Sequence, residues 1–239
     1  MKKIQYQLSA LLLFILASAM LLHGEIPQLA HYHEFADRRT LFGIANFADV
    51  LSNFGFALCS LWGVLRLGSD WRRLPAGYLV FIISVFFTAL GSGYYHLSPN
   101  DQTLVWDRLP IAIACAGLMA GAWQDFSPQR RQWPLLLALS LFGTASVFYW
   151  QVSADLRPYL ALQVLPLLLI PIWQLRADRA DRIAVSAAIG LYVLAKIAEI
   201  TDHQIYAQLS LLSGHTLKHL LASLAAGLII YQVSLRVKV

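Results

Sequence analysis

Three histidines, a serine and an aspartate sit at the ends of apolar runs in this chain, where ionisable side chains are costly. His215 and His219, in SGHTLKHLL, are four residues apart. On a helix that spacing puts both imidazoles on one face, one turn apart, able to grip a single metal ion. His96 closes another apolar run, within GSGYYHLSPNDQTLVWDRLP, residues 91–110. Three neutral imidazoles with an open fourth position form the shell of a catalytic zinc. The two cysteines, Cys59 and Cys115, fall in separate apolar runs. They read as small buried hydrophobes rather than as a disulfide or a thiolate site.

Ser92 lies one helical turn before His96 and faces the same way, and Asp107 opens the next helix across a short loop. From there its carboxylate can reach a water at the metal. Bland alternatives stay open for each residue. Ser92 can bond back to its own helix, Asp107 can cap its helix or pair with Arg108, and the histidine pair can be structural. Asn100 and Asp101 follow Ser98-Pro99 and read as turn residues.

The elements that must position these groups are membrane spans. Of the 239 residues 58% are hydrophobic and only 13% charged, and the mean hydropathy of +0.59 is too high for a soluble domain. Apolar runs cover roughly Leu8 to Leu22, Phe47 to Leu67, Ala76 to Leu97, Leu104 to Trp123, Pro134 to Trp150, Tyr159 to Leu175, Ile183 to Ile200 and Thr216 to Val233. Runs of this length cross a hydrocarbon core of about 30 Å as helices. The expected fold is an all-α polytopic bundle, with short connections and one compact transmembrane unit.

With a cytoplasmic N-terminus and eight spans, the inner side collects Lys2, Lys3, Arg66, Arg72, Arg73, Arg130, Arg131, Arg176, Arg179, Arg182, Arg236 and Lys238. Only Arg38, Arg39 and Arg157 fall in outer loops, as the positive-inside rule asks. This distribution accounts for the net charge of +5, and no nucleic-acid partner is expected. Arg108, Lys196 and Lys218 lie within or beside spans and need another explanation. The first run, Met-Lys-Lys and about 15 apolar residues containing Ala17-Ser18-Ala19, reads as an uncleaved helix, with a cleaved signal as the alternative.

This topology gathers His96, Asp107, His215 and His219 on the outer face, with Glu199, Asp202 and His203 at the end of the preceding span and the loop from Gly24 to Asn46 above. Polar groups confined to that outer third favour a site over a transport path. Lys196, Glu199 and Asp202 share one side of their helix. A Lys196–Glu199 ion pair is the first reading, and Glu199 or Asp202 accepting an imidazole N–H is the functional alternative. His203 reads as interfacial, and His31 and His33 as incidental.

Together, Ser92-Gly-Tyr-Tyr-His96, Asp107-Arg-Leu-Pro110 and His215-Thr-Leu-Lys-His219 resemble the alkaline ceramidase family, part of a group of seven-helix membrane hydrolases that includes the adiponectin receptors. Ser52-Asn53-Phe-Gly-Phe56 is similar to the Ser-Asn motif of that family's first core helix. The resemblance covers about residue 46 to the C-terminus. It implies a seven-helix hydrolase domain at 46–239, preceded at 1–45 by an added hydrophobic helix or signal and an outer loop. It also implies zinc on His96, His215 and His219, proton transfer by Asp107 and support from Ser92. Glu199, Asp202, Asn53 and Asp49 are the candidates around the ligands. The family's acidic calcium motif is replaced by Glu34-Phe-Ala-Asp37-Arg-Arg, so Ca2+ dependence is doubtful, though Asp37, Asn46 and Asp49 remain a candidate outer polar site.

The expected activity is hydrolysis of the amide bond of ceramide or a related N-acyl lipid to a fatty acid and a long-chain amine. The chief alternative is a seven-helix lipid receptor with a structural zinc. The basic N-terminus and short chain point to a bacterial inner-membrane protein with its site towards the periplasm, and leave an N-acyl lipid other than ceramide open.

Overall fold

The computed structural model describes residues 2–237; Lys238, counted among the basic residues above, lies outside them. The described chain is almost entirely helical: α1 Lys2–His23, α2 Phe47–Ser52, α3 Phe54–Leu67, α4 Ala76–Leu97, α5 Asp101–Phe126, α6 Trp133–Ser153, α7 Arg157–Gln174, α8 Arg179–Ile200, α9 Asp202–Leu209 and α10 Gly214–Arg236. A 3₁₀ turn, Gly68–Arg73, follows α3. Seven segments are long and apolar enough to cross a membrane: α1, α2 to the 3₁₀ turn taken together, α4, α5, α6, α8 and α10. The remaining long helix, α7, has 18 residues, about 27 Å at 1.5 Å per residue. Arg157, Gln163, Pro166 and Pro171 make it less apolar, and it is held among α1, α5, α6 and α8.

Burial is inverted relative to a water-soluble protein. Leu65 is 81% exposed and Phe14 70%, whereas Asp49 is 0% and His96 1% exposed. Apolar side chains outside and polar ones inside suit a lipid solvent. This is a polytopic helical membrane protein, as its sequence predicts.

Three local features differ from the sequence reading. The run from Phe47 breaks at Asn53, where Asn53 N–H bonds to Val50 O and Phe56 N–H to Asn53 O, tight three-residue steps between α2 and α3. Helix α5 begins at Asp101 rather than Leu104, because the Asn100 side chain accepts from the Gln102 and Thr103 N–H groups and Thr103 reciprocates, a capping box. The short helix α9 occupies what reads as loop.

Helix α1 docks by polar contacts as well as apolar ones. Gln5 Nε2 donates to Ile172 O at 2.8 Å, Trp173 Nε1 donates to Ser9 Oγ at 3.1 Å, and Tyr6 packs edge-on against Phe126. The most extensive helix–helix contact is between α4 and α5. A Cβ on Gly91 would lie 2.0 Å from the Trp106 carbonyl oxygen, so only glycine lets the Ser92 turn of α4 approach the Asp107 turn of α5 this closely.

Candidate metal centre

His96, one residue from the C-terminal end of α4, meets His215 and His219 from the first two turns of α10. One ring nitrogen from each lies within 4.8 Å of the others, and all three side chains are buried. The Nε2 atoms of His96 and His215 are 3.3 Å apart. Two nitrogens on a tetrahedral ion with bonds of about 2.05 Å are separated by about 3.3 Å, so this edge of the triangle already has the spacing of a zinc shell. The residues present fit a three-imidazole metal site.

Helix α10 is held at its start by carboxylates. Asp202 Oδ1 accepts from the His215 N–H at 2.8 Å, and Asp49 Oδ1 accepts from Thr216 Oγ1 at 2.6 Å. Ser213 Oγ caps the same turn through the Thr216 N–H at 3.0 Å. First-turn N–H groups have no acceptor within their own helix, and negative charge is favoured there. Gly214 makes the approach possible: a Cβ there would meet Ala198 O at 2.1 Å and Asp202 Cα at 2.7 Å.

These contacts correct the expected surroundings of the ligands. Neither Glu199 nor Asp202 accepts an imidazole N–H. Asp202 holds backbone, with Oδ2 taking the Ala36 N–H at 2.9 Å. Glu199 pairs with Lys196 at 2.8 Å, as the helical spacing predicts, and also with Lys218 at 2.9 Å. Lys218 Nζ also lies 3.1 Å from His215 Nε2, donating to the lone pair that a metal would take, so metal binding requires the ammonium to give up this contact and keep Glu199. Asn53 donates from Nδ2 to Asp49 O at 2.8 Å rather than to a histidine.

The side chain on an imidazole is Ser52. Its Oγ donates to Asp49 O at 3.0 Å and lies 2.8 Å from His219 Nδ1. A serine has one proton to give. With that proton on the carbonyl, Ser52 accepts from His219 Nδ1–H, which leaves the Nε2 lone pair for a metal.

Asp107 and Ser92 are both buried and adjoin one another across the α4–α5 contact, with the charges of Lys218 and Arg108 nearby. Capping falls to Asn100, and Asp107 makes no ion pair with Arg108 among the described residues. Asp37, Asn46 and Asp49 do not converge. Asp37 pairs with Arg39 at 2.7 Å, Asn46 Nδ2 donates to His96 O at 2.8 Å, and Asp49 serves α10. His203 faces the loop, its Nε2 3.0 Å from Glu34 O. His33 is no incidental residue: its ring bridges Tyr95 Oη at 2.8 Å and Asp101 Oδ1 at 3.1 Å, pinning the 24–46 loop over the site. From this loop Phe35, buried, packs its ring at a tilt, its centre 4.4 Å from that of His215 and 4.7 Å from that of His96. No motif marks Phe35, because its role exists only once the loop folds back.

A cavity of about 360 Å³ opens from this cluster. Ser92, Asp107, Lys218 and His219 line one end and Asp181, Gln232 and Arg236 the other. Lys218 and Arg236 are 18 residues apart on α10, hence about 27 Å. Between the ends the wall is mainly Val85, Ala114, Leu118, Ile170, Ala188 and Ile229, with no Asp, Glu, Lys, Arg or His. The far end is closed by Arg236, which pairs with Asp125 and, at 2.9 Å, with Asp181; Gln232 Nε2 donates to Asp181 at 2.8 Å. The expectation that polar groups keep to one end of the bundle is therefore wrong. Arg236 reads as an ordinary inner-side charge, but helix packing turns it inward onto Asp125 and Asp181. The apolar stretch between the two polar ends is what distinguishes this cavity from an ion path. A scan of protein-family models and a search of curated proteins find no match to this chain.

Proposed function

We propose that the protein is a zinc-dependent amidohydrolase of the membrane, cleaving ceramide or a related N-acyl lipid to a fatty acid and a long-chain amine. The observation that carries this reading is the convergence of three buried histidines with Ser92 and Asp107 at the polar end of a cavity of lipid length. Its apolar middle, between polar ends about 27 Å apart, suits an extended hydrocarbon chain. The resemblance of the same residues to the alkaline ceramidases supports the assignment.

His96, His215 and His219 would hold the zinc, which would supply Lewis acidity and lower the pKa of a water towards ~7. Ser52 holds the His219 ring in the tautomer that presents Nε2. Asp107 accepts the proton of the attacking water and delivers it to the leaving amine. Ser92 orients that carboxylate. Phe35 and the pinned loop exclude bulk water on one side, which strengthens each electrostatic contact within. The bias of basic residues towards one side supports cytoplasmic termini and a site facing the periplasm of a bacterial inner membrane.

The test is zinc analysis of the purified protein, with release of fatty acid from a fluorescent ceramide and from other N-acyl lipids. His215→Ala and Asp107→Asn are assayed in parallel. Hydrolysis by the wild type, silent in both variants, is the expected result. Stoichiometric zinc without turnover of any amide lipid would instead indicate a receptor, and absence of bound metal would remove both readings.

A further inference from the structure

Arg108 follows Asp107 on α5 and is 3% exposed, yet no carboxylate lies within ion-pair distance of it among the described residues. Its Nη2 donates to Gln28 Oε1 at 2.7 Å. Its Nε and Nη1 are buried with no hydrogen-bond partner. The guanidinium lies 3.8 Å from the Trp150 ring centre, with Tyr159 at 5.2 Å and Tyr32 at 5.3 Å. These rings fix the plane of the cation and offset part of its desolvation through their faces. They offer no acceptor to its N–H groups. A buried charged donor without an acceptor is among the costlier features a fold can hold.

The group lines the cavity described above, in company with Tyr32, Asp107 and Tyr159. Lys196 and Lys218 line the same end, against the single carboxylates of Glu199 and Asp107. Three cations therefore face two anions before any metal is counted, and the one cation lacking an ion pair is Arg108. Successive helix positions diverge by about 100°, so Asp107 and Arg108 reach different parts of the same chamber from adjacent backbone atoms. An anion on Arg108 thus lies within a few bonds of an amide carbonyl placed at Asp107.

We propose that Arg108 binds an anionic group on the amine half of the substrate, so that the preferred lipid is an N-acyl compound carrying a carboxylate or a phosphate close to the scissile amide. This deepens the hydrolase reading and rests on it for the word substrate. The apolar body of the cavity takes the acyl chain, and the aromatic box with Arg108 takes the charged head. Either oxyanion supplies the acceptors that Nε and Nη1 lack, in the planar geometry arginine favours.

Three lipids of equal chain length test this with detergent-solubilised full-length protein: N-lauroylglycine, N-lauroyl-O-phosphoethanolamine and uncharged N-lauroylethanolamine. The expected result is a kcat/KM at least about tenfold higher for one or both anionic lipids, and the better of the two identifies carboxylate or phosphate as the headgroup. In Arg108→Met the ratio of anionic to neutral falls to near one through KM, and Arg108→Lys, which keeps charge without the fork, lies between. If none of the three is cleaved, the intact lipids act as ligands and the same ratio is read from thermal shift. Failure of the hydrolase reading thereby stays separate from failure of this one. Equal handling of all three by the wild type overturns the proposal without any variant, and so does an equal loss on all three in Arg108→Met.

Discussion

Ser52→Ala removes a single buried hydroxyl that touches no metal, and its consequence for metal affinity follows from two hydrogen bonds. The Asp49 carbonyl that Ser52 serves keeps a second donor, Asn53 Nδ2 at 2.8 Å, so the loss falls on His219. Without a metal the ring can move its proton to Nε2 and leave Nδ1 as a bare acceptor. Metal binding forces the proton back to Nδ1, which then has no partner in the variant. An unsatisfied buried donor costs about 1–3 kcal/mol, and at about 1.4 kcal/mol per factor of ten this weakens the metal by roughly 5- to 150-fold. Losing a partner of a metal-bound histidine falls in the same range, ~10–100-fold. Competition against chelators of graded strength, with metal content read by mass spectrometry, measures the change. Ser60→Ala is the control, since Ser60, on α3, is also buried but its Oγ donates to Ile82 O at 2.7 Å. Wild-type affinity in Ser52→Ala, or an equal loss in Ser60→Ala, refutes the tautomer argument.

Gly214→Ala forces a methyl onto backbone atoms that cannot rotate away, Ala198 O and Asp202 Cα. It should lower stability by about 1–3 kcal/mol and reduce bound metal by displacing His215. Gly190→Ala meets nothing within 4 Å and should be neutral or stabilising by up to ~1 kcal/mol; thermal unfolding of the two variants decides, and equal behaviour counts against the close approach. In the loop between α6 and α7, burial pushes the Asp155 carboxyl up, but hydrogen bonds from the Arg157 side chain and backbone and from the Ile26 N–H outweigh it and hold it down to about 2. Because its pKa is depressed in the folded chain, its contribution is full above the ordinary carboxylate value near 4 and is lost as pH falls towards 2. The gap in unfolding temperature between wild type and Asp155→Asn should therefore be wide at pH 6 and narrow by pH 2.5, and a constant gap rejects the assignment.

Much of this molecule is set by rules that act along a single stretch of chain. A helix must be about 20 apolar residues long to cross a membrane, so the spans are visible as runs, and only α7, interrupted by Gln163 and two prolines, is blurred. Imidazoles four apart share a helix face whatever the rest of the fold does, so His215 and His219 declare themselves as a pair. Connection parity brings His96 and Asp107 to the same end. Asn100 reads as a turn residue for a similarly local reason, and its capping of α5 appears only in the structure.

What surrounds those groups was decided by packing between segments far apart in sequence. Ser52 and His219 are separated by 167 residues and Ala36 and Asp202 by 166, and no periodicity links them. Asp49, Asp202 and Glu199 are carboxylates near the histidines, and chemistry alone lets each be a partner for an imidazole. The structure gives two of them to the first turn of α10 and the third to two lysines, because an unsatisfied helix N–H, the Thr216 hydroxyl and buried ammonium ions compete for the same oxygens. Arg236 has the sequence position of an ordinary inner-side charge, and only the convergence of α5, α8 and α10 makes it one closed cluster with Asp125 and Asp181. Runs and spacings determine which groups share a depth in the membrane. Which donor meets which acceptor is settled only when the helices pack, since a hydrogen bond needs its atoms within about 3 Å and a helix turn leaves several candidates that near.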